Sequence, residues 1–388
     1  MNSKGKNIKV LVALSGGVDS SVAAALLARS GFSVEGAYMR CWSEGPYCSA
    51  DRDQADAARV ASSLRIPFHV FNFEKEYKQK VIDYFFAEYE AGRTPNPDVM
   101  CNKEIKFGIF LEKALGMGFD YIATGHYARI SEQKADIRKQ ESASRDQRTG
   151  NWSLEAGVDP DKDQSLVQYQ LLAGLDPDKD QSYFLYLIEQ DKLRNVLFPL
   201  GELTKKEVRK LAKEFGLPTA EKPESMGICF VGETDINEFL STRIKPRKGK
   251  IVTTKGIEMG EHKDLAFYTI GQREGLGISS HVPYFVADKD IKTNRLVVAP
   301  FGDKALFRDE FTTDTPHWLI NADKGFPRQV QVRLRHRAPT VPATIEEAGN
   351  KLKVSLKEPQ RAVTPGQAAV FYQEDRVVGG AVVSKVIN

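Results

Sequence analysis

The chain is poor in cysteine, poor in tryptophan and nearly neutral. Four cysteines in 388 residues (Cys41, Cys48, Cys101 and Cys229) are too few for a disulfide scaffold and fit a reducing compartment. None of them forms a C-x-x-C pair, so neither structural zinc nor an iron–sulfur cluster is expected, and no other metal site. No apolar run approaches the ~20 residues of a membrane span, and the first nine residues hold no apolar leader-like run; a cytoplasmic protein with no membrane partner is expected. Fifty-five basic residues against 52 acidic ones leave a net charge of +3, so any footprint for nucleic acid must be local.

What is present begins near the start. Val10 to Leu14 is a run of five apolar residues that reads as a buried strand, and Ser15-Gly16-Gly17-Val18-Asp19-Ser20 follows as a tight turn. Ser20 to Arg29 is an alanine- and leucine-rich helix with Gly31 at the left-handed cap position, and Ser33 to Tyr38 is the next strand. The Gly-Gly pair lets backbone N–H groups converge without Cβ interference, and with the helix N-terminus behind them they suit a phosphate-like anion. The turn contains no lysine, which separates it from the G-x-x-x-x-G-K loop of kinases and GTPases.

The pattern continues as helix (Asp51 to Leu64), strand (Pro67 to Phe73), helix (Tyr77 to Ala91, ended by Gly92) and strand (Tyr121 to Thr124). Strands alternating with helices predict a doubly wound parallel sheet, with ligands outside the carboxyl ends of its strands. The turn after Leu14, the segment from Met39 onward and Gly125-His126 all leave from that side. Residues 131–170 break the pattern. Ser131 to Gly150 holds only three hydrophobic residues, Ala135, Ile137 and Ala143, and reads as a mobile polar insertion. G-V-D-P-D-K-D-Q-S (157–165) is nearly repeated as G-L-D-P-D-K-D-Q-S (174–182), and only the second copy runs into a helix-like apolar segment, Tyr183 to Ile188. Thr204 and Glu207 form a capping box for a helix reaching Phe215. From Gly232 a short helix (Thr234 to Leu240) and glycine-rich strands follow, and after Asn294 short strands and turns suggest a small β-barrel or sandwich.

Two cysteines invite chemistry unequally. Pro95 and Pro97 stiffen the approach to a helix for which Asp98 is a plausible N-cap, which places Cys101 in the first turn. Unpaired N–H groups there, with Lys103 nearby, favour a thiolate. Cys229 sits in apolar G-I-C-F and by local context is a core cysteine. Two basic patches stand out. One runs from Arg243 to Lys250. In the other, Arg333, Arg335 and Arg337 alternate with Val332, Leu334 and His336, which on a strand aligns three guanidiniums on one face.

Taken together these stretches resemble the tRNA-specific 2-thiouridylases, members of the PP-loop ATP pyrophosphatase superfamily. The match runs through S-G-G-V-D-S, G-R-T-P-N-P-D-x-x-C-N-K-E-I-K-F (92–107), A-T-G-H-Y (123–127), K-D-Q-S-Y-F-L-Y (179–186), G-I-C-F-V-G-E (227–233), G-Q-R-x-G-L-G-I (271–278) and T-P-G-Q-A-A-V-F-Y (364–372). The resemblance implies ATP-dependent 2-thiolation of the anticodon wobble uridine: adenylation of the C2 oxygen, then sulfur transfer from a cysteine persulfide. It implies a PP-loop catalytic domain over 1–230, a small tRNA-contacting domain over 231–293 and a tRNA-contacting C-terminal β-barrel over 294–388. ATP, with Mg²⁺, would lie on Ala13, Leu14, Ser15, Gly16, Gly17, Val18, Asp19, Ser20, Met39 and Gly125. Asn96, Pro97 and Asp98 would meet the flipped base. Cys101, Cys229 and Asp98 would be catalytic, with Cys229 carrying the persulfide and the two thiols forming a disulfide on turnover. His126, Lys179, Asp180, Gln181, Arg335, His336 and Gln367 would contact tRNA, and a cysteine desulfurase or sulfur relay protein would supply the sulfur. The sequence departs from the family at Glu224-Ser225-Met226, where Asp-Ser-Thr is usual, and in the 128-position separation of Cys101 and Cys229. Two rivals share the loop. An amide or argininosuccinate-type ligase would need neither thiol, and a tRNA-binding or sulfur-carrier protein would lack catalysis.

Overall fold

A computed structural model describes residues 8–44, 49–134, 167–224, 236–320, 326 and 328–387. Contacts divide the chain into two compact units. One comprises Met1–Lys78, Asp98–Glu233 and Asp375–Val378; the other comprises Gln79–Pro97, Thr234–Glu374 and Gly379–Asn388.

In the first unit the strands β1 (Lys9–Ala13), β2 (Ser33–Arg40), β3 (Phe68–Asn72), β4 (Tyr121–Ala123) and β7 (Val196–Leu197) form a parallel sheet of order β3-β2-β1-β4-β7. The order reverses at β1, so β1 and β4 open the crevice in which such sheets bind ligands. Val10, Leu11 and Val12 of β1 are fully buried because helices cover both faces. The helix α1 (Val18–Arg29) presents Val22, Ala23, Ala24 and Ala25, and small side chains let it lie close to the sheet. The helix α2 (Ala50–Leu64) packs Ala57, Val60 and Ala61 against Val12 and Tyr38. Gly31 takes φ +87° after α1, as the cap requires. The capping box of the helix Lys205–Glu214 is formed, with the Glu207 N–H donating to the Thr204 hydroxyl.

Three local readings change. Strands β5 (Ala128–Lys134) and β6 (Val167–Ala173) pair antiparallel from Ala128↔Ala173 to Lys134↔Val167. Both ends of the 131–170 segment are therefore ordered hairpin strands; residues 135–166, with the first copy of the repeat, lie outside the described residues. Tyr183 to Ile188 is a single 3₁₀ turn, Ser182–Phe184, followed by turns rather than a helix. The helix carrying Cys101 begins at Pro97, so Asp98 is a first-turn residue and not the cap. Proline fits that first position because it has no N–H to leave unpaired.

In the second unit β8 (Gly249–Thr253), β9 (Glu258–His262), β10 (Tyr284–Asp290) and β11 (Arg295–Pro300) form a sheet of order β10-β11-β8-β9. Ile251, Leu265, Val286, Leu296 and Val298 make its core. A barrel follows: β12 (Phe307–Thr313), β14 (Arg328–Arg333), β15 (Val341–Ala348), β16 (Lys351–Arg361), β17 (Ala368–Gln373) and β18 (Arg376–Ile387) run in the order β12-β16-β15-β14-β17-β18, closed by β12 against β18. The short β13 (His317–Trp318) joins β18. β14 ends at Arg333, and Arg337 has φ +62° in the turn beyond. The three arginines do not share a strand face. Segment 79–97 belongs here: Phe85 and Phe86 pack on Phe239, and Arg243 pairs with Asp83 at 2.6 Å. Among the described residues no helix is long and apolar enough to cross a membrane.

Candidate active site

The loop Ser15–Ser20 leaves the carboxyl end of β1 and enters α1. Gly16 takes φ +74°, and a Cβ there would stand 2.3 Å from the Asp53 carbonyl oxygen. Only glycine meets both demands. The Ser15 N–H donates to Ser20 Oγ at 3.1 Å, and the Ser21 hydroxyl donates to the Gly17 carbonyl at 2.7 Å. The hydroxyls thus fasten the turn from within. Gly125 closes the opposite wall: a Cβ on it would lie 2.6 Å from Ser20 N. The carboxyl ends of β1 and β4 therefore pinch around the α1 N-terminus, whose unpaired N–H groups suit an anion. Ala13, Leu14, Val18 and Met39 are buried supports of this corner, while Ser15 is exposed at its mouth.

Charged residues surround the loop, and among them Lys205, Lys222, Asp53 and Asp56 were not singled out by the sequence. Asp19 accepts from Lys205 Nζ at 2.7 and 2.8 Å and from the Tyr127 hydroxyl at 2.8 Å. Burial and the Asp19 carboxylate push the Tyr127 phenol far above its usual range, so it stays a donor. Lys205 also meets Glu224 at 3.1 Å, and Lys179 meets Glu224 at 2.7 and 2.9 Å. The hydrogen bond from Lys179, assisted by Lys205, draws the Glu224 carboxyl down to about 2 against the cost of burial. Lys222 pairs with Asp53 at 2.7 Å and Asp56 at 2.5 Å beneath Gly16. No short motif joins these residues; the hint for Lys205 was its place after a clear N-cap.

Cys101 is fully buried at the end of the helix turn Pro97–Cys101. The next residues, Asn102–Phe110, continue as a π-helix broken by a kink at Gly108, and Asn102 donates to the Phe184 carbonyl at 3.1 Å. Lys103 pairs with Glu104 at 3.4 Å. Cys229 and its G-I-C-F string lie outside the described residues, as does Cys48. Asn96 and Pro97 belong to the second unit and Asp98 to the first, so the chain passes from one unit to the other within the stretch expected to meet the base.

Most residues expected at tRNA have structural engagements. His126 is 8% exposed, bonded through Nδ1 to the Thr124 hydroxyl at 2.7 Å and set among Phe107 and Phe198. Burial, with the Lys106 charge, holds it well below the ordinary histidine range, so it is neutral. Asp180 is buried; its carboxylate accepts from the N–H groups of Gly174 and Ser182 and shapes that turn. Gln181 accepts from the Tyr127 N–H at 3.0 Å. Arg335, though exposed, donates to the carbonyls of Ile270 and Ala362. Gln367 donates to Thr94 and Pro95. His126 and Asp180, both expected at tRNA, have side chains enclosed within their own unit. Among the described residues no group of three or more His, Cys, Asp or Glu is arranged to hold a metal ion.

Family models agree on the three-part layout. One described as a tRNA methyl transferase HUP domain matches residues 8–172 and 166–233. A tRNA methyl transferase PRC-barrel domain matches 237–300, and an aminomethyltransferase beta-barrel domain matches 308–383. A tRNA-specific 2-thiouridylase of Vesicomyosocius okutanii is 43% identical over 392 aligned positions, covering 99% of each chain. One from Shouchella clausii is 42% identical, covering 99% of this chain and 98% of its own, and one from Streptococcus mutans is 43% identical, covering 97% and 95%.

Proposed function

Because the chain belongs to the tRNA-specific 2-thiouridylase family, we propose that it is a sulfurtransferase that uses ATP to replace the C2 oxygen of the anticodon wobble uridine of tRNA. The observation that carries this is the loop Ser15–Ser20, folded as an anion cradle in a chain 43% identical to a 2-thiouridylase over 99% of its length. The C2 carbonyl is a weak electrophile and its oxygen a poor leaving group. Adenylation turns that oxygen into part of AMP, and the loop N–H groups stabilise the departing pyrophosphate. Mg²⁺ would enter on the phosphate oxygens of ATP, as this ion commonly does, with Asp19 the one carboxylate of the loop.

The outer sulfur of a Cys229 persulfide attacks C2 and AMP departs, leaving a Cys229–S–S–C2 linkage. The Cys101 thiolate attacks Cys229 Sγ, which releases the thiouridine sulfur and leaves a Cys101–Cys229 disulfide. A thiol reductant and a persulfide donor, a cysteine desulfurase or relay protein, complete the cycle. The buried setting of Cys101 shields its thiol from bulk solvent between turnovers. Asn96, Pro97 and Asp98 would receive the extruded base, since the anticodon stack otherwise hides C2. Residues 231–293 and 294–388 would hold the tRNA, with Arg335, His336 and Lys179 nearest to it and Gln367, Asp180, Gln181 and His126 setting the loops beneath. The reaction as a whole would proceed in the cytoplasm.

The test is nucleoside analysis of tRNA incubated with the full chain, ATP, Mg²⁺ and a persulfide source. 2-Thiouridine should form with the native chain and disappear with Cys229→Ala. A methylated nucleoside instead, made from a methyl donor without ATP, would favour the activity that two of the family models are named for.

A further inference from the structure

The cradle at Ser15–Ser20 contains an acid, Asp19, but no cation. Phosphate loops commonly pair converging N–H groups with a lysine, because the N–H groups alone leave most of the anion's charge uncompensated. The fold brings a lysine from 186 positions away. Lys205 is the first residue of the helix Lys205–Glu214, directly after the boxed cap Thr204, and its own N–H donates to Asp176 Oδ2 at 2.8 Å. Its backbone is therefore fixed beside the loop. The ammonium touches both carboxylate oxygens of Asp19 and lies 3.1 Å from Glu224, and its side chain is only 15% exposed. Glu224 is itself shared with Lys179. The resting arrangement alternates in sign: Asp19, Lys205, Glu224, Lys179.

Two carboxylates shared by two ammonium groups, those of Lys205 and Lys179, leave the cluster balanced without a ligand. An ammonium is a compact charge with three donors on a flexible stem, so it can exchange one acceptor for another without moving its backbone. A pyrophosphate group at Gly16 and Gly17 would bring several anionic oxygens to the first turn of α1, where Asp19 already holds the Lys205 head.

We propose that Lys205 is the cation of the pyrophosphate site and that Glu224 competes with pyrophosphate for it. The proposal rests on the ATP-using reading above. It also assigns a part to Glu224, whose carboxylate reaches both lysines.

Calorimetry with inorganic pyrophosphate and Mg²⁺ on the full chain tests this without turnover. Lys205→Met should weaken pyrophosphate binding about 10- to 100-fold, the span of one charge-assisted hydrogen bond. Lys205→Arg should recover much of it. Glu224→Gln should tighten binding, because the competitor loses its charge while the fold keeps its contacts. A lysine that only tethers Asp19 gives the opposite sign for Glu224→Gln, since loosening the chain would then weaken the site. Unchanged affinity in a folded Lys205→Met protein, or weaker binding in Glu224→Gln, overturns the proposal. If Lys205→Met does not fold, the sign of the Glu224→Gln change decides alone. Failure of the thiolation reading shows separately, as absence of 2-thiouridine from the native chain.

Discussion

The side-chain amide of Gln367 donates to the carbonyl oxygen of Thr94 at 2.9 Å and, bifurcating, to that of Pro95 at 3.0 Å. The Thr94 N–H donates in turn to the Pro365 carbonyl at 2.9 Å, and a Cβ on Gly366 would stand 2.7 Å from the Thr94 oxygen. The turn 364–367 grips the residues that immediately precede Asn96, Pro97 and Asp98. Gln367, expected to touch tRNA, is thus bonded to the stretch just before the residues expected to receive the base.

Replacement of Gln367 by alanine leaves two carbonyls without their donor and costs about 1–3 kcal/mol locally. The expected result is a drop of about tenfold in the thiolation rate constant, because misplacement of a base-holding loop falls on the chemical step. Affinity for tRNA, measured by filter binding, should change little. Gln367→Glu should be worse, since a carboxylate would face two carbonyl oxygens. Weakened tRNA binding with an unchanged rate constant would return Gln367 to the RNA surface.

Gly125→Ala should abolish ATP binding while leaving tRNA binding intact. Its Cβ would come within 2.6 Å of Ser20 N and 2.8 Å of the Asp19 carbonyl carbon, both backbone atoms of α1 that no rotamer change can move. Gly16→Ala should behave alike and destabilise more, because it adds a left-handed backbone penalty of about 1 kcal/mol to the clash with Asp53. Nucleotide titration of both variants, alongside their thermal melts, checks this. ATP binding by either at native affinity would refute the pinched-corner account.

Much of this corner was legible because its signals are local. An apolar run, a Gly-Gly turn and an alanine-rich helix occupy consecutive residues, and each obeys its own short-range rule. The capping box at Thr204 and the glycine caps were read for the same reason. Asp98 was misplaced because two helix-start signals adjoin, and Pro97, with its fixed φ, begins the helix two residues earlier than a cap at Asp98 would. The arginine row failed because alternation continues past the end of β14 into a turn. The Asp19–Lys205 pair could not be read at all: its partners come together only once β4, the hairpin and the later helix are folded. Gln367 was found by motif, but its bonds to Thr94 and Pro95 could not be read, since motif matching names a residue and not the direction of its side chain.

Acid should loosen the first unit in two steps. His126 titrates well below its unfolded value because it is buried near Lys106. The unfolded chain therefore takes up its proton first, and stability should begin to fall as pH drops below about 6.5, with a slope of at most about 1.4 kcal/mol per pH unit. Glu224 is depressed to about 2 by Lys179 and Lys205, so its contribution is present above its unfolded value near 4.5 and is lost between there and 2. Denaturant melts from pH 8 to pH 4 should show the upper step, and His126→Asn should flatten it. An unchanged slope in that variant would mean that His126 is not the group that titrates.

The hairpin sharpens what can be removed. The pairs Ala128↔Ala173 to Lys134↔Val167 carry β5 and β6, and Leu171 is fully buried. Deleting 131–170 as a block would remove four residues from each strand and most of their ladder. It should destabilise the first unit, and activity should fall with stability. Replacing only 135–166 by a two-residue Asn-Gly turn keeps every pair, and its φ > 0 backbone suits the twist of an antiparallel ribbon. That variant should melt near the native temperature and thiolate tRNA normally. If it folds but makes no 2-thiouridine, the segment 135–166 has a part in the reaction that the hairpin alone does not explain.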